Sequence, residues 1–199
     1  MLLITAFEPF DGTGVNSSLK VLEEYLARHA GGRPVASAVL PVRYDDDTAA
    51  VLSAIQRVRP RALLHLGQCP GARPAAELVA VNLRVRERGG EPEPILPQGP
   101  AAYFSTLPMA ALAAAMDAVG CAADLSAHAG TYLCNHVLYR SLHREANAGA
   151  GPAVPAGFLH LPRLPEQQEI LRHPIPCLPL SLMVRGLAAA VDRVLADLR

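Results

Sequence analysis

The chain has no excess of charge of either sign, since Lys plus Arg and Asp plus Glu each number 18 in 199 residues. It also lacks any basic stripe interleaved with aromatics, so a nucleic-acid partner is not expected. Long apolar runs are missing too. The opening MLLITAF is apolar, but no basic segment precedes it and Glu8-Pro9 ends it, too early for a signal peptide or a membrane span. The expectation is a cytoplasmic protein with no membrane partner. Cysteine is sparse and dispersed: Cys69, Cys121, Cys134 and Cys177 form no CxxC pair and no close framework, so disulfides are not expected. HExxH is absent as well. His136 and His143 share a helical face, but no carboxylate or thiolate accompanies them there, and no metal is expected. Finally, no low-complexity linker divides the chain, which is long enough for one sizeable core; residues 1–199 are read as a single domain.

What is present is an alternation of apolar runs and amphipathic segments. Leu2–Ala6 reads as a buried strand. A Gly-containing loop from Phe7 to Ser17 follows, then a helix carrying Leu19, Leu22 and Leu26 and closed by Gly31-Gly32,. The pattern repeats with a strand at Val35–Val42, a helix opened by Asp45-Asp46-Asp47, and a strand at Ala62–Gly67,. Leu78–Val85 reads as one further strand leading into a Gly/Pro-rich loop that runs through Pro100. Thr106 is placed to cap a helix that has Pro108 near its start and Gly120 at its stop,. Then come a short strand at Ala122–Ala127, a helix opened by Cys134, a strand at Gly157–Pro162, and a last helix from Ser181 to Arg199. This order predicts an α/β three-layer sandwich, a central largely parallel or mixed sheet with helices on both faces and a site at the strand ends.

Within Gly130–His136, Cys134 stands in the first turn of a helix. Unpaired backbone N–H groups there favour negative charge and so favour a thiolate. Buried free cysteine is also common and inert, so position alone leaves both readings open. His160, at the end of an apolar strand, is either a base for Cys134 or a core histidine bonded to the backbone. Glu77, just before an apolar run, either orients an imidazole or faces solvent. Phe7 and Phe10, two of the four phenylalanines, either wall a flat ligand or plug the rim of the core. The Gly12-x-Gly14 pair has Ser17 where a dinucleotide fingerprint needs its third glycine, so no cofactor is expected.

Several segments in order carry a resemblance: ITAFEPFDGTGVNSS, LPV at Leu40, LGQCPG at Leu66, ELVAVN at Glu77, GPAAYFSTLP at Gly99, AGTYLCNHVLYRSLH at Ala129, GFLHLPRLPEQ at Gly157 and LSLMVRGL in the last helix. Over nearly its whole length the chain resembles type I pyroglutamyl peptidases, the pyrrolidone-carboxylate peptidases. The resemblance implies a cysteine exopeptidase that removes an N-terminal pyroglutamyl residue from peptides. It implies Cys134 as nucleophile, His160 as base and Glu77 as its orienter. It further implies that Phe7 and Phe10 line the lactam pocket, that Asn16 organises their loop, and that Gln68 lies on a turn facing the lactam. A homo-oligomer, dimer or tetramer, is also expected.

Two departures stand against that pattern. Leu78 occupies a position where arginine is usual, and Leu83–Gly90 replaces an acidic stretch, which leaves open whether Arg84, Arg86 or Arg88 serves the site. The rival readings are a nucleoside phosphorylase-like enzyme, with the Gly-containing loop cradling an anion, and a non-catalytic binding protein on the same scaffold.

Overall fold

Eight strands and six helices follow one another along the chain in a computed structural model that describes all residues except 11, 13, 30, 31, 88, 150–152, 172, 173 and 199. The elements are β1 (Leu2–Phe7), α1 (Ser17–His29), β2 (Val35–Leu40), α2 (Asp46–Val58), β3 (Ala62–Cys69), β4 (Ala75–Glu77) and β5 (Val79–Val81). They continue with β6 (Ala102–Phe104), α3 (Met109–Ala118), β7 (Asp124–Ser126), α4 (Leu133–Ala146), β8 (Ala156–Pro162), α5 (Glu166–Leu171) and α6 (Leu180–Asp197). The expected helix stop at Gly31 and helix end at Arg199 lie outside the described residues.

The six-stranded sheet has the order β2-β1-β3-β8-β4-β7. Strands β1, β2, β3 and β8 are parallel, whereas β4 runs antiparallel to β8 and carries β7 parallel to itself. The central parallel strands are covered on both faces, which is why β1 is buried at every position and reads as an unbroken apolar run,. Helices α1, α3 and α6 close one face over Ile4, Leu64, Leu66 and Leu159, and α2 and α4 close the other over Leu3, Leu63 and Phe158. The carboxyl ends of β1, β3 and β8 open together at one edge, where α/β sheets hold their ligands.

The structure corrects two expectations. The run Leu78–Val85 is not one strand: β4 enters the main sheet before it, and β5 leaves to pair with β6 in a separate two-stranded sheet. Leu78 is the pivot, donating its N–H to Ser126 O at 2.9 Å and accepting from Ser105 N–H at 2.9 Å. Thr106 does not cap α3; its Oγ1 accepts the Ala156 N–H at 2.8 Å and ties the loop to the start of β8. The long loop before β6 is organised by Asn82, whose carboxamide bonds Leu96 through both N–H and C=O and also reaches Gly99 O. The Gly120 stop is as expected, with φ of 79° and the Cys121 N–H returning to Met116 O,.

His65 on β3 is fully buried and bonds Thr5 Oγ1 at 2.7 Å and Ser141 Oγ at 3.0 Å. Burial pulls its pKa down to about 3, so the ring is neutral in the fold, whereas in the unfolded chain it titrates near about 6.5. Its contribution to stability is complete above that unfolded value and is lost as pH falls from about 6.5 toward 3, at about 1.4 kcal/mol per pH unit. Urea titrations at pH 7 and pH 5 should show this loss. His65→Gln should be less stable at pH 7 but flatter between the two; an equal slope would contradict a neutral His65.

Candidate active site

The segment before α4 turns at Gly130, with φ of 80°, and enters the helix through an extended Tyr132 that provides no side-chain cap. The first helical donor is the His136 N–H, which reaches Tyr132 O at 2.9 Å. The backbone N–H groups of Leu133, Cys134 and Asn135 therefore precede the helical ladder, and Cys134 is the second residue of the helix,.

The sulfur is seated against β3. A Cβ added at Gly67 would lie 2.8 Å from Cys134 Sγ and 2.6 Å from Phe158 Cζ; no side chain fits between them. Register places Gly67 beside His160 on β8. Phe158 and His160 share one face of that strand, with ring centroids 4.7 Å apart,. On the other side of β8 the antiparallel register sets Glu77 opposite Phe158, on the same face and diagonal to His160,. Glu77 Oε1 bonds His160 Nδ1 at 2.6 Å, and the carboxylate is 2% exposed.

Burial alone would lower the His160 pKa. The charge of Cys134, hydrogen bonding with it, and then the bond to and charge of Glu77 outweigh burial and push the value up to about 10,. The arrangement thus favours the imidazolium form of His160. Cys69, two residues beyond Gly67, borders the same cavity, but burial raises its pKa and so disfavours its thiolate,.

A cavity of about 530 Å³ opens on this group, and all seven residues singled out from the sequence border it: Phe7, Phe10, Asn16, Gln68, Glu77, Cys134 and His160. Asn16 acts on the scaffold. Its Oδ1 accepts from Ser18 N–H and Oγ at the start of α1, and its Nδ2 donates to Glu8 O at 3.1 Å, fixing the loop that bears Phe10,. The Gln68 carboxamide oxygen likewise accepts from Ser17 N–H at 2.9 Å and Gln167 Nε2 at 3.0 Å.

Neither Arg84 nor Arg86 borders the cavity: both pair with Glu93, and Arg84 also lies over the Tyr44 ring. Arg88 lies outside the described residues. His136 and His143 diverge, the first to Asp47 Oδ2 at 2.9 Å and the second to Tyr103 Oη at 2.8 Å. Among the described residues no group of three His, Cys, Asp or Glu is placed to hold a metal ion. The sequence reading missed Gly67, whose only signal was a glycine inside a strand otherwise rich in large apolar residues.

The sequence pattern of the family described as pyroglutamyl peptidase matches residues 1–197. Pyrrolidone-carboxylate peptidase 1 of Photorhabdus laumondii is 36% identical, the alignment covering 98% of this chain and 93% of that protein. The pyrrolidone-carboxylate peptidase of Pectobacterium atrosepticum is 38% identical with the same two coverages, 98% and 93%. Among solved structures, Bacillus amyloliquefaciens pyroglutamyl peptidase I superposes with a TM-score of 0.87 at 28% identity, over 98% of this chain and 96% of that one. A mutant pyrrolidone carboxyl peptidase from Pyrococcus furiosus also gives 0.87, at 30% identity over 100% and 99%.

Gly67→Ala should be costly, because its methyl group has no space beside Cys134 Sγ and Phe158. We expect a loss of about 1–3 kcal/mol in urea titration and slower alkylation of Cys134 by iodoacetamide as the sulfur is displaced. Wild-type values in both would contradict the tight seat.

Proposed function

Because this chain belongs to the pyroglutamyl peptidase family and is a cysteine-type hydrolase that removes N-terminal pyroglutamyl residues, we propose that Cys134, His160 and Glu77 carry its reaction and that residues 1–199 act as one peptidase domain. The observation that carries the residue assignment is the 2.6 Å bond from Glu77 Oε1 to His160 Nδ1 in a cavity that Cys134 also borders, with its Sγ against Gly67, the register partner of His160. His160 holds the proton given up by the Cys134 thiol as an imidazolium, and the sulfur attacks the pyroglutamyl carbonyl carbon. A C–S bond forms while the carbonyl electrons move to oxygen, where N–H groups of the first turn of α4 receive the charge. The tetrahedral species then collapses, the C–N bond breaks, and His160 gives its proton to the departing amine. Water next attacks the thioester with His160 as base, releasing pyroglutamate and restoring the thiol. Glu77 keeps the imidazole oriented and stabilises its cationic form.

Phe7 and Phe10 are proposed to flank the lactam, which is flat, uncharged and without a free amine. A peptide with N-terminal glutamine or glutamate brings a charged ammonium to the same apolar walls, at a cost of several kcal/mol. The nucleoside phosphorylase and binding-protein readings gain no support from the family or the site. We also propose a cytoplasmic setting, in keeping with four free cysteines. A dimer or tetramer is proposed as well, since Phe104 is 77% exposed and Leu125 on the edge strand β7 is 52% exposed. No helix among the described residues is long and apolar enough to cross a membrane.

The pH profile of pyroglutamyl-amide hydrolysis tests the assignment. With the His160 pKa raised to about 10, the imidazolium is present below that value, so activity should hold into the alkaline range and fall as pH rises through it. Glu77→Gln removes part of what raises the pKa; its alkaline limb should move to lower pH, with turnover down roughly 100-fold. Cys134→Ala should release no amine. Retained activity in Cys134→Ala, or an unmoved limb in Glu77→Gln, would overturn the roles.

Trimming an aromatic wall tests the pocket. Phe10→Ala should raise KM for pyroglutamyl amides about tenfold, equivalent to about 1.4 kcal/mol of lost contact, with kcat nearly unchanged.

A further inference from the structure

The segment after Glu77 and the segment before Cys134 are laced together by main-chain bonds. Leu78 N–H donates to Ser126 O at 2.9 Å, Ala129 N–H to Val79 O at 3.3 Å, and Val85 N–H to Thr131 O at 2.8 Å. A backbone ladder of this kind ends where a helix begins, because a helix turns its polar groups along its own axis. At that point Asn135 continues the ladder with its side chain. Its Oδ1 accepts the Val81 N–H at 2.8 Å, and its Nδ2 donates to Val81 O at 2.8 Å and to Leu83 O at 2.9 Å. One carboxamide thus satisfies both main-chain groups of Val81, as a neighbouring strand would, and the residue is fully buried.

We propose that Asn135 is a positioning residue for the nucleophile: its clamp on Val81 and Leu83 fixes the first turn of α4, and with it Cys134, relative to Glu77 and hence to His160. This rests on the thiol reading above. Cys134 and Asn135 are chain neighbours, and Val81 follows Glu77 by four residues. With the 2.6 Å bond from Glu77 to His160, the clamp closes a short circuit around the reacting atoms. The N-cap of α4 makes no side-chain bond that would hold the turn, and the seat at Gly67 leaves no slack for the sulfur. Only an amide of this length supplies one acceptor and two donors here; aspartate lacks the donors, and alanine removes the side-chain partner of three main-chain groups, the Val81 N–H and the Val81 and Leu83 carbonyls,.

The same clamp defines how the unusual 83–90 stretch bears on the site. Leu83 takes part through its carbonyl, which any residue supplies, while Arg84 and Arg86 are occupied with Glu93.

The test compares Asn135→Ala and Asn135→Asp with Tyr139→Phe, which loses a different buried bond of α4, the 2.7 Å bond to Pro100 O. In pyroglutamyl-amide hydrolysis both Asn135 variants should lose about 100-fold in kcat with KM near wild type, and Cys134 should be alkylated more slowly by iodoacetamide. Tyr139→Phe should keep kcat and alkylation rate. Wild-type kcat in either Asn135 variant, or activity falling only in step with the folded fraction in thermal melts, overturns the proposal. Loss of the fold in both variants also overturns it, by assigning Asn135 to folding alone. A parallel Cys134→Ala assay separates the two levels: activity there sinks the thiol reading itself, whereas its absence beside active Asn135 variants sinks only the positioning role.

Discussion

The bond between Glu77 Oε1 and His160 Nδ1, 2.6 Å long and almost wholly excluded from solvent, is the constraint around which this edge of the sheet is arranged. A carboxylate that is 2% exposed needs a cationic or hydrogen-bonding partner, since burying it unpaired costs several kcal/mol,. That partner lies on β8, and β4 reaches it by pairing antiparallel to β8, whereas the other pairings of the six-stranded sheet are parallel. The reversal explains why the apolar run after Glu77 cannot continue as one strand. The chain must leave the main sheet at Leu78 to build the β5–β6 pair, and the long loop anchored by Asn82 follows from that departure.

Two histidines on the same face of this sheet, His65 fully buried and His160 mostly so, show how partners, rather than burial, decide charge. His65 is surrounded by hydroxyl groups and apolar side chains, and desolvation drives it down to about 3. His160 suffers the same desolvation, yet a thiol on one side and a carboxylate on the other carry it up to about 10. The consequences for stability are opposite in sign: His65 stabilises the fold above its unfolded pKa and loses that contribution in acid. The His160 contribution is full below about 6.5 and fades as pH rises through about 10.

Around this centre the loops are held by carboxamides. Asn16 fixes the loop of Phe10, Gln68 and Gln167 join α5 to the start of α1, Asn82 closes the long loop, and Asn135 joins α4 to β5. Each offers donors and acceptors without charge, so it replaces main-chain partners in buried places where an ion would need a counter-ion. The walls of the cavity stay apolar at Phe7 and Phe10, in keeping with the proposed recognition of an uncharged lactam.

The element order and the α/β class were legible in residue patterns, because buried parallel strands such as Leu2–Phe7 and amphipathic helices such as α6 leave periodic signatures,. Gly130–His136 likewise marked a helix start with a thiol in its first turn. The family motifs named Glu77 and His160, which local chemistry alone left as a solvated acid and a core histidine. The strand order, the reversal of β4, the seat at Gly67 and the clamp at Asn135 were not legible. Each depends on contacts between segments far apart in the chain, such as Asn135 with Val81 and Gly67 with Cys134, and no local period encodes such distances. The sequence by itself determined which groups can react, since thiol, imidazole and carboxylate are properties of side chains. Only the tertiary structure decided that they meet, and in which ionic state, because a pKa is set by the neighbours that folding brings within bonding distance.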